Sequence, residues 1–172
     1  MFIAHAPAGF LLIKALVPKQ KQRLMLWCTG LFFAVAPDLD LFWFYFVSSR
    51  TVPHHQYPTH WPCLWVALFA AALVLSSRLR KPALRPHLFV GFACVMLHLV
   101  LDSVAAEIFW LAPFSDFHIN FVTVPAVENR WWVWNFILHW TFALEILTCL
   151  VAGGVYLRSR RAPVRTEPAP NH

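Results

Sequence analysis

The sequence predicts an all-α, polytopic membrane protein with about five transmembrane helices, and three observations predict it. Of its 172 residues, 59% are hydrophobic, and the mean hydropathy is +0.57. Long apolar stretches recur along the chain, and clusters of Lys and Arg flank them. Soluble domains of this length are far more polar. We therefore interpret residues 1–157 as one membrane-embedded domain and residues 158–172 as a basic, disordered cytoplasmic tail.

Five apolar stretches have lengths near the roughly 20 residues that cross the hydrocarbon core of a bilayer. They are residues 2–17, 24–47, 61–77, 86–112 and 131–157. The first extends only about 24 Å as a helix and contains Lys14, so tilted, half-inserted and re-entrant arrangements stay open for it. The second contains Pro37, which removes a backbone donor and therefore weakens or kinks its helix.

Basic residues predict the orientation of these helices. They form three groups: Lys14, Lys19, Lys21 and Arg23, then Arg78, Arg80, Lys81 and Arg85, then Arg158, Arg160, Arg161 and Arg165. Because positively charged loops stay in the cytoplasm, the N-terminus, residues 48–60 and residues 111–130 are predicted to face outward. The net charge of +6 then indicates anionic lipid headgroups as partners, and not nucleic acid, because the basic residues flank helices.

Several ionisable side chains fall at a similar depth within the apolar stretches. They are His5, Asp38, Asp40, His98, Asp102 and His139. Counted along their helices, all of them lie about 18 to 24 Å above the cytoplasmic face. An ionisable residue within a membrane span costs several kcal/mol unless it is paired or bound. Their convergence at one depth therefore predicts a shared partner in the outer half of the membrane.

The residue types at this depth indicate a divalent metal, because imidazole and carboxylate are ligands of zinc and similar ions. His98 and Asp102 are four residues apart, so they project from one helix face and can reach the same ion. A simple hydrogen-bonded pair is the alternative for that spacing. Asp38 and Asp40 surround the break at Pro37, and the alternative for them is that they cap a new helix.

The loop "RTVPHHQYPTHWP" lies over this polar layer in the predicted topology and contributes His54, His55 and His60. An exposed, solvated loop is the alternative interpretation of these histidines.

The last apolar stretch contains the ionisable residues Glu145 and His139. Glu145 is six residues from His139, so the two lie on different faces of a helix. We interpret Glu145 as a hydrogen-bond partner of the Thr141 or Thr148 hydroxyl.

Four motifs in a fixed order carry a resemblance to a known family. They are "HAPAG" at 5–9, "PDLD" at 37–40, "HQYPTH" at 55–60, and "HLVLD" followed by "WLAPFS". Together they resemble the YdjM-like family, described as LexA-binding, inner membrane-associated, metal-dependent hydrolases and related to zinc-dependent phospholipase C. The resemblance covers residues 1 to about 155. It implies a phospholipase C-like helical core, a multi-pass location in the bacterial inner membrane and an active site that faces the periplasm.

The resemblance also implies specific metal-site residues. They are His5, Asp38, Asp40, His55, His60, His98 and Asp102. The loop motif of the family usually reads His-Arg-Gly-x-Thr-His-Ser, whereas Gln56, Tyr57 and Trp61 stand here in place of the Arg, Gly and Ser. An arginine clamp for phosphate is therefore not expected at this position. Thr59 and its neighbouring histidines retain the rest of the motif.

The expected function is hydrolysis of a lipid phosphoester, in a phospholipid or a polyprenyl phosphate, at the outer leaflet. The implied ligands provide for two zinc ions, with manganese as the alternative metal, and a third ion requires a further group such as His139. Two metals can clamp a phosphate and activate water. Asp38 or Asp40 is expected to bridge the ions or to act as general base, and Thr59 is expected to orient a ligand.

Two other functions stay open. A membrane interaction protein with a structural or vestigial metal site fits the LexA-binding description, although the short cytoplasmic segments leave little surface for a protein partner. A metal ion or proton transporter would line a continuous pathway with polar residues. The inner halves of the apolar stretches carry few polar residues besides Lys14 and Glu145, which disfavours transport.

Overall fold

In a computed structural model of the chain, the described residues are 3–48, 52–127 and 132–161, and helices dominate them. The α-helices are α1 (His5–Leu16), α2 (Leu24–Val35), α3 (Asp40–Phe46), α4 (Pro62–Arg78), α5 (Arg85–Asp102), α6 (Trp132–Ile137) and α7 (Thr141–Arg161). Short 3-10 helices cover Lys19–Lys21, Ala36–Leu39, His54–Gln56, Pro58–His60 and Pro82–Leu84. Two short strands, β1 (Ile108–Phe109) and β2 (His118–Ile119), pair antiparallel. The prediction of a helical protein is confirmed, apart from this small sheet.

Three helical stretches within the described residues are long and apolar enough to cross a membrane. They are Leu24–Phe46, Pro82–Asp102 and Thr141–Arg161. α1 and α4 are apolar but shorter, and the 12 residues of α1 extend only about 18 Å. Phe46 and Leu150 expose large apolar side chains on the outside of the bundle, as lipid-facing surfaces do. Five complete spans therefore stay a prediction.

The second apolar stretch is interrupted at Pro37, as its sequence predicts. α2 gives way to the 3-10 helix Ala36–Leu39, and α3 begins at Asp40. Side chains two positions apart leave a 3-10 helix and an α-helix alike in different directions. Asp38 accordingly borders a cavity, whereas Asp40 faces Thr59.

Small residues let α1, α2 and α5 pack closely below the polar layer. A Cβ atom on Gly9 of α1 would lie 2.6 Å from the Cβ of Ala34 in α2. A Cβ atom on Gly91 of α5 would lie 2.7 Å from the Phe33 ring. Such approaches leave no room for a larger side chain and are typical of helix contacts within membranes. The buried cluster between these helices is Ile13, Leu26, Ala34, Val90 and Cys94.

The fourth predicted helix is shorter than expected, because α5 ends at Asp102 and not at residue 112. Ser103 explains the early end. The Trp110 indole donates a hydrogen bond to the Ser103 hydroxyl, and the Ser103 carbonyl accepts one from the backbone N–H of Phe121. These bonds tie the following residues into a loop that carries both strands.

The fifth predicted helix is wrong as a single element, because residues 138–140 separate α6 from α7. The side chain of His139 pairs with the hydroxyl of Thr141 at 2.9 Å, at the point where α7 begins. A polar side chain at this position is typical of a new helix start. α7 then continues to Arg161, so the first residues of the predicted tail are helical, and residues 162–172 lie outside the described residues.

Candidate metal centre

Two groups of potential metal ligands lie side by side in the described part of the chain. The first, the helix cluster, consists of His5, Asp38, His98 and Asp102. The second, the loop cluster, consists of His54, His55 and His60. Within each group, one ligand atom per residue lies within 4.8 Å of those of the other members. That spacing is compatible with a single ion in each group.

The helix cluster is formed by the ends of three helices. His98 in the last turns of α5 pairs through Nδ1 with the carbonyl oxygen of Ala34 at 2.8 Å, which leaves Nε2 directed at Asp102 Oδ2 at 3.0 Å. His5, the first residue of α1, places Nε2 3.1 Å from Asp102 Oδ1. The two imidazole rings stack with centroids 3.7 Å apart. His5, His98 and Asp102 are all buried.

The loop cluster depends on the 3-10 helices between α3 and α4. His60 is completely buried, and its Nδ1 lies 2.9 Å from Asp40 Oδ2. The Thr59 hydroxyl donates to the same carboxylate oxygen, and His54 Nδ1 lies 3.3 Å from the other oxygen of Asp40. A carboxylate that holds one ring nitrogen fixes the tautomer and directs the other nitrogen toward a metal. Asp40 is therefore arranged to orient the loop cluster from outside it.

Two carboxylates connect the clusters. Asp102 Oδ2 lies 3.7 Å from His60 Nε2 and 3.9 Å from His55 Nε2, in addition to its contacts within the helix cluster. Asp38 Oδ1 lies 3.7 Å from the Nε2 atoms of both His60 and His98. Carboxylates with histidines of both groups around them are suited to bridging two ions. Of the two aspartates that the sequence offers as a bridge, Asp38 and not Asp40 lies close to histidines of both groups, as Asp102 does.

The donor atoms fit a divalent metal. The Nε2 atoms of His60 and His98 are buried and make no hydrogen bond to any described residue, and they face the Asp102 carboxylate at 3.7 and 3.0 Å. A buried nitrogen without a hydrogen bond carries a free-energy penalty, which a metal bond removes. For both histidines the opposite nitrogen, Nδ1, is already engaged, by Asp40 and by the Ala34 carbonyl respectively. This is the arrangement of a metal-binding imidazole.

Two loop histidines differ in their affinity for a proton. Burial is the main cause that lowers the pKa of His55 well below its usual value. Burial also acts to lower the pKa of His60, but its carboxylate neighbours Asp38 and Asp40 outweigh that effect and raise the pKa to about 9. The metal-free site therefore retains a proton on His60 at neutral pH. A metal ion that binds to Nε2 of His60 would displace that proton.

A cavity of about 280 Å³ adjoins both clusters. Asp38, His54 and His55 form its polar side, and Thr141 and Glu145 of α7 border it as well. The remaining wall is Leu41, Tyr45, Ala105, Ala106, Val133 and Phe136. A mainly apolar pocket with a few convergent polar groups is typical of a small-molecule or lipid site.

Most of the sequence-predicted residues meet in this centre. His5, Asp38, His55, His60, His98 and Asp102 lie in the two clusters, and Asp40 and Thr59 lie directly behind His60. His139 belongs to neither cluster and instead pairs with Thr141.

Two residues near the centre were not among the predicted ligands. His54 lies in the loop cluster, and its position beside His55 in the sequence was the available signal. Glu145 borders the cavity and accepts a hydrogen bond at 2.7 Å from the backbone N–H of Ile3. The hydroxyl of Thr148, one of its expected partners, donates to the Leu144 carbonyl. No sequence signal connects Glu145 with Ile3, because that contact depends on the tertiary fold.

The comparison with known families covers almost the whole chain. No curated protein and no solved structure gives a significant match. The model of the YdjM inner membrane protein family matches residues 1–166, a range that includes both clusters and all described helices. The apolar helices agree with a location in the inner membrane. The chain therefore belongs to the YdjM inner membrane protein family.

Proposed function

We propose that this protein is a metal-dependent hydrolase, embedded in the inner membrane, that cleaves a phosphoester of a lipid at the outer leaflet. The observation that carries the proposal is that two carboxylates of the helix cluster, Asp38 and Asp102, also lie close to histidines of the loop cluster. Both clusters adjoin a mainly apolar cavity. The relation to zinc-dependent phospholipase C that the motifs imply is part of this proposal.

The helix cluster is the proposed ligand set of one ion, and the loop cluster is that of a second. The imidazole and carboxylate donors suit zinc, and manganese is the alternative. When bound, such ions supply Lewis-acid stabilisation of charge on a phosphoryl group. Because His139 is in neither cluster of the described residues, we propose two ions and not three.

The protein's own groups have separate tasks in this proposal. The Asp38 side chain is 23% exposed and borders the cavity, so an oxygen of this carboxylate that binds no ion is suited to accept a proton from an attacking water. Asp40 and Thr59 have no such access to this cavity and act as positioning residues for His60. Thr141 and Glu145 border the cavity without belonging to either cluster, where they can contact the headgroup of a substrate.

The cavity supports a lipid as substrate. Its apolar wall can remove the first carbons of a tail from water, while its polar side holds a phosphoester next to both clusters. A phospholipid and a polyprenyl phosphate share this combination of an apolar tail and an anionic headgroup. A soluble phosphate ester would leave the apolar wall in contact with water.

The ends of the helices support an outward orientation of the centre. His5 begins α1, while His98 and Asp102 lie near the end of α5. The opposite ends of α1, α4, α5 and α7 carry the basic groups that the positive-inside rule assigns to the cytoplasm. We infer that α1 and α4 complete a five-helix membrane bundle whose metal centre faces the periplasm.

The test is a hydrolysis screen on the detergent-purified protein. Its metal content is first determined by elemental mass spectrometry. Phosphatidylglycerol, phosphatidylethanolamine and a polyprenyl phosphate are then offered with zinc, with manganese and with a chelator. Asp38→Asn is the test variant, and Asp116→Asn, an exposed aspartate outside both clusters, is the matched control.

We expect chelator-sensitive cleavage of one lipid class that Asp38→Asn abolishes and Asp116→Asn retains. Bound metal with every lipid left intact would overturn the hydrolase and favour a structural metal site in an interaction protein. A protein that binds no ion would overturn the metal centre itself.

A further inference from the structure

Glu145 connects α7 with the N-terminal segment of the chain. It lies in the first turns of α7 and is 4% exposed. Its Oε2 atom accepts a hydrogen bond of 2.7 Å from the backbone N–H of Ile3. Ile3 lies two residues before His5, where α1 begins. The carboxylate therefore holds the backbone immediately before the first metal-ligand candidate of the chain.

The three most buried histidines of the centre are oriented in different ways. His98 is fixed through Nδ1 by the Ala34 carbonyl, and His60 is fixed through Nδ1 by Asp40. The Nδ1 atom of His5 is buried and has no hydrogen-bond partner among the residues that the structure describes. Metal-binding histidines almost always have such an outer partner, since it sets the ring orientation. His5 is therefore positioned by its stacking on His98, by the contact of its Nε2 with Asp102 and by its backbone.

We propose that Glu145 is a positioning residue of the metal centre, which acts on His5 through the backbone of Ile3. Its hydrogen bond to the main chain takes the place of an outer hydrogen bond to the His5 ring, for which the described residues provide no partner at Nδ1. The inference rests on the proposed function, because it assumes that His5 binds an ion. It assigns to Glu145 neither contact with the metal nor a part in proton transfer.

The chemistry of the contact predicts which substitutions matter. A hydrogen bond from a backbone amide to a carboxylate is stronger than one to a neutral oxygen, but an amide oxygen of the same reach still accepts it. Glu145→Gln therefore retains the anchor in weaker form, whereas Glu145→Ala removes it. A metal ligand would behave differently, because a neutral amide is a poor substitute for a carboxylate in zinc binding.

The experiment measures the binding of Zn²⁺ to the full-length, detergent-purified protein by calorimetry and elemental analysis. The variants are Glu145→Ala, Glu145→Gln, His5→Ala and the double variant Glu145→Ala with His5→Ala. Glu107→Ala, which removes an exposed glutamate, is the matched control. Thermal unfolding of each metal-free variant separates a change in stability from a change in binding.

We expect Glu145→Ala to weaken one Zn²⁺ site by about tenfold to a hundredfold, the range found for outer-shell partners of metals, and to leave the second site unchanged. Glu145→Gln should retain most of the affinity. In the double variant, the loss should equal that of His5→Ala alone, because a residue that acts only through His5 has no effect once His5 is absent.

Additive losses in the double variant, or equal damage by Glu145→Gln and Glu145→Ala, would overturn the positioning role and identify Glu145 as a ligand. Unchanged Zn²⁺ binding in Glu145→Ala would overturn it as well. If the unmodified protein binds no Zn²⁺, the proposed metal centre fails, and this outcome is distinct from the other two.

Discussion

The helix cluster and the loop cluster contain similar chemical groups but are held in place by different means. His5, His98 and Asp102 of the helix cluster are at most 3% exposed and lie on α1 and α5, which belong to the closely packed part of the bundle. In the loop cluster, His54 and His55 are partly exposed. Helix packing therefore fixes the ligands of the helix cluster. In the loop cluster, the Asp40 carboxylate fixes the orientation of His60 and His54 instead.

The largest effect is expected where the two clusters share a residue. Asp102→Asn neutralises a carboxylate whose two oxygens lie 3.0 to 3.9 Å from nitrogens of His5, His55, His60 and His98. We expect both Zn²⁺ sites to lose affinity by more than about a hundredfold, since even outer-shell changes cost up to that much. Elemental mass spectrometry measures the loss, and His55→Ala, which should empty only the loop cluster, is the comparison. Retention of one ion in Asp102→Asn would contradict the shared role.

A smaller and one-sided effect is expected from the outer carboxylate. Asp40→Asn weakens the contact that directs His60, so the loop cluster should lose about tenfold to a hundredfold in Zn²⁺ affinity. The helix cluster should be unaffected, because Asp40 is not one of its members. Titration with Co²⁺, followed by its visible spectrum, distinguishes the two sites. Equal weakening of both sites would show that the clusters are not independently supported.

The reverse asymmetry is expected from a change in the helix packing. Gly9→Leu forces a side chain into the space next to Ala34 and should cost about 1 to 3 kcal/mol of stability, as overpacking typically does. It should also separate α1 from α2 and weaken the helix cluster through His5. Gly153→Leu is the control, because no atom lies within 4 Å of the Cβ position at Gly153. Thermal unfolding and Zn²⁺ binding are the measurements, and equal effects of the two substitutions would contradict the packing argument.

The smallest effect concerns the pH dependence of the metal-free protein. His60, with its pKa raised to about 9, contributes stability that is complete below pH 6.5 and is lost as the pH rises toward 9. His55, with a lowered pKa, contributes stability that is present above pH 6.5 and is lost as the pH falls. We therefore expect the loop cluster to favour a maximum of thermal stability near pH 6.5.

The measurement is thermal unfolding in chelator across the pH range. His60→Asn should remove the decline on the alkaline side, and His55→Asn should remove the decline on the acid side. Curves that are identical for both variants and the unmodified protein would show that these histidines do not govern the pH dependence.

The meeting of the polar residues of the centre was predictable from the sequence, but their direction around each helix was not. Counting along apolar stretches placed His5, Asp38, His98 and Asp102 at one level, and the structure brings them together. The same counting placed His139 at that level. A break between α6 and α7 directs it to Thr141 instead, and no periodicity in the sequence marks that break.

The helix boundaries were predictable only where a residue restricts the backbone directly. Pro37 lacks an amide hydrogen, so the interruption of α2 follows from local chemistry. The end of α5, by contrast, depends on hydrogen bonds of Ser103 with Trp110 and Phe121. These bonds form only when the loop after α5 is folded, so no local sequence signal marks them. The position of Asp38 at the cavity and that of Asp40 beside Thr59 likewise depend on the tertiary fold, which the sequence pattern does not specify.

The order of the ligands along the chain also determines when the centre can form during synthesis. His5 is synthesised before Asp102, which lies 3.1 Å from it in the helix cluster and follows only at the end of α5. The anchor of Ile3 on Glu145 forms later still, after α7 has begun. A nascent chain therefore cannot capture a metal ion in the final geometry before most of its helices are in place.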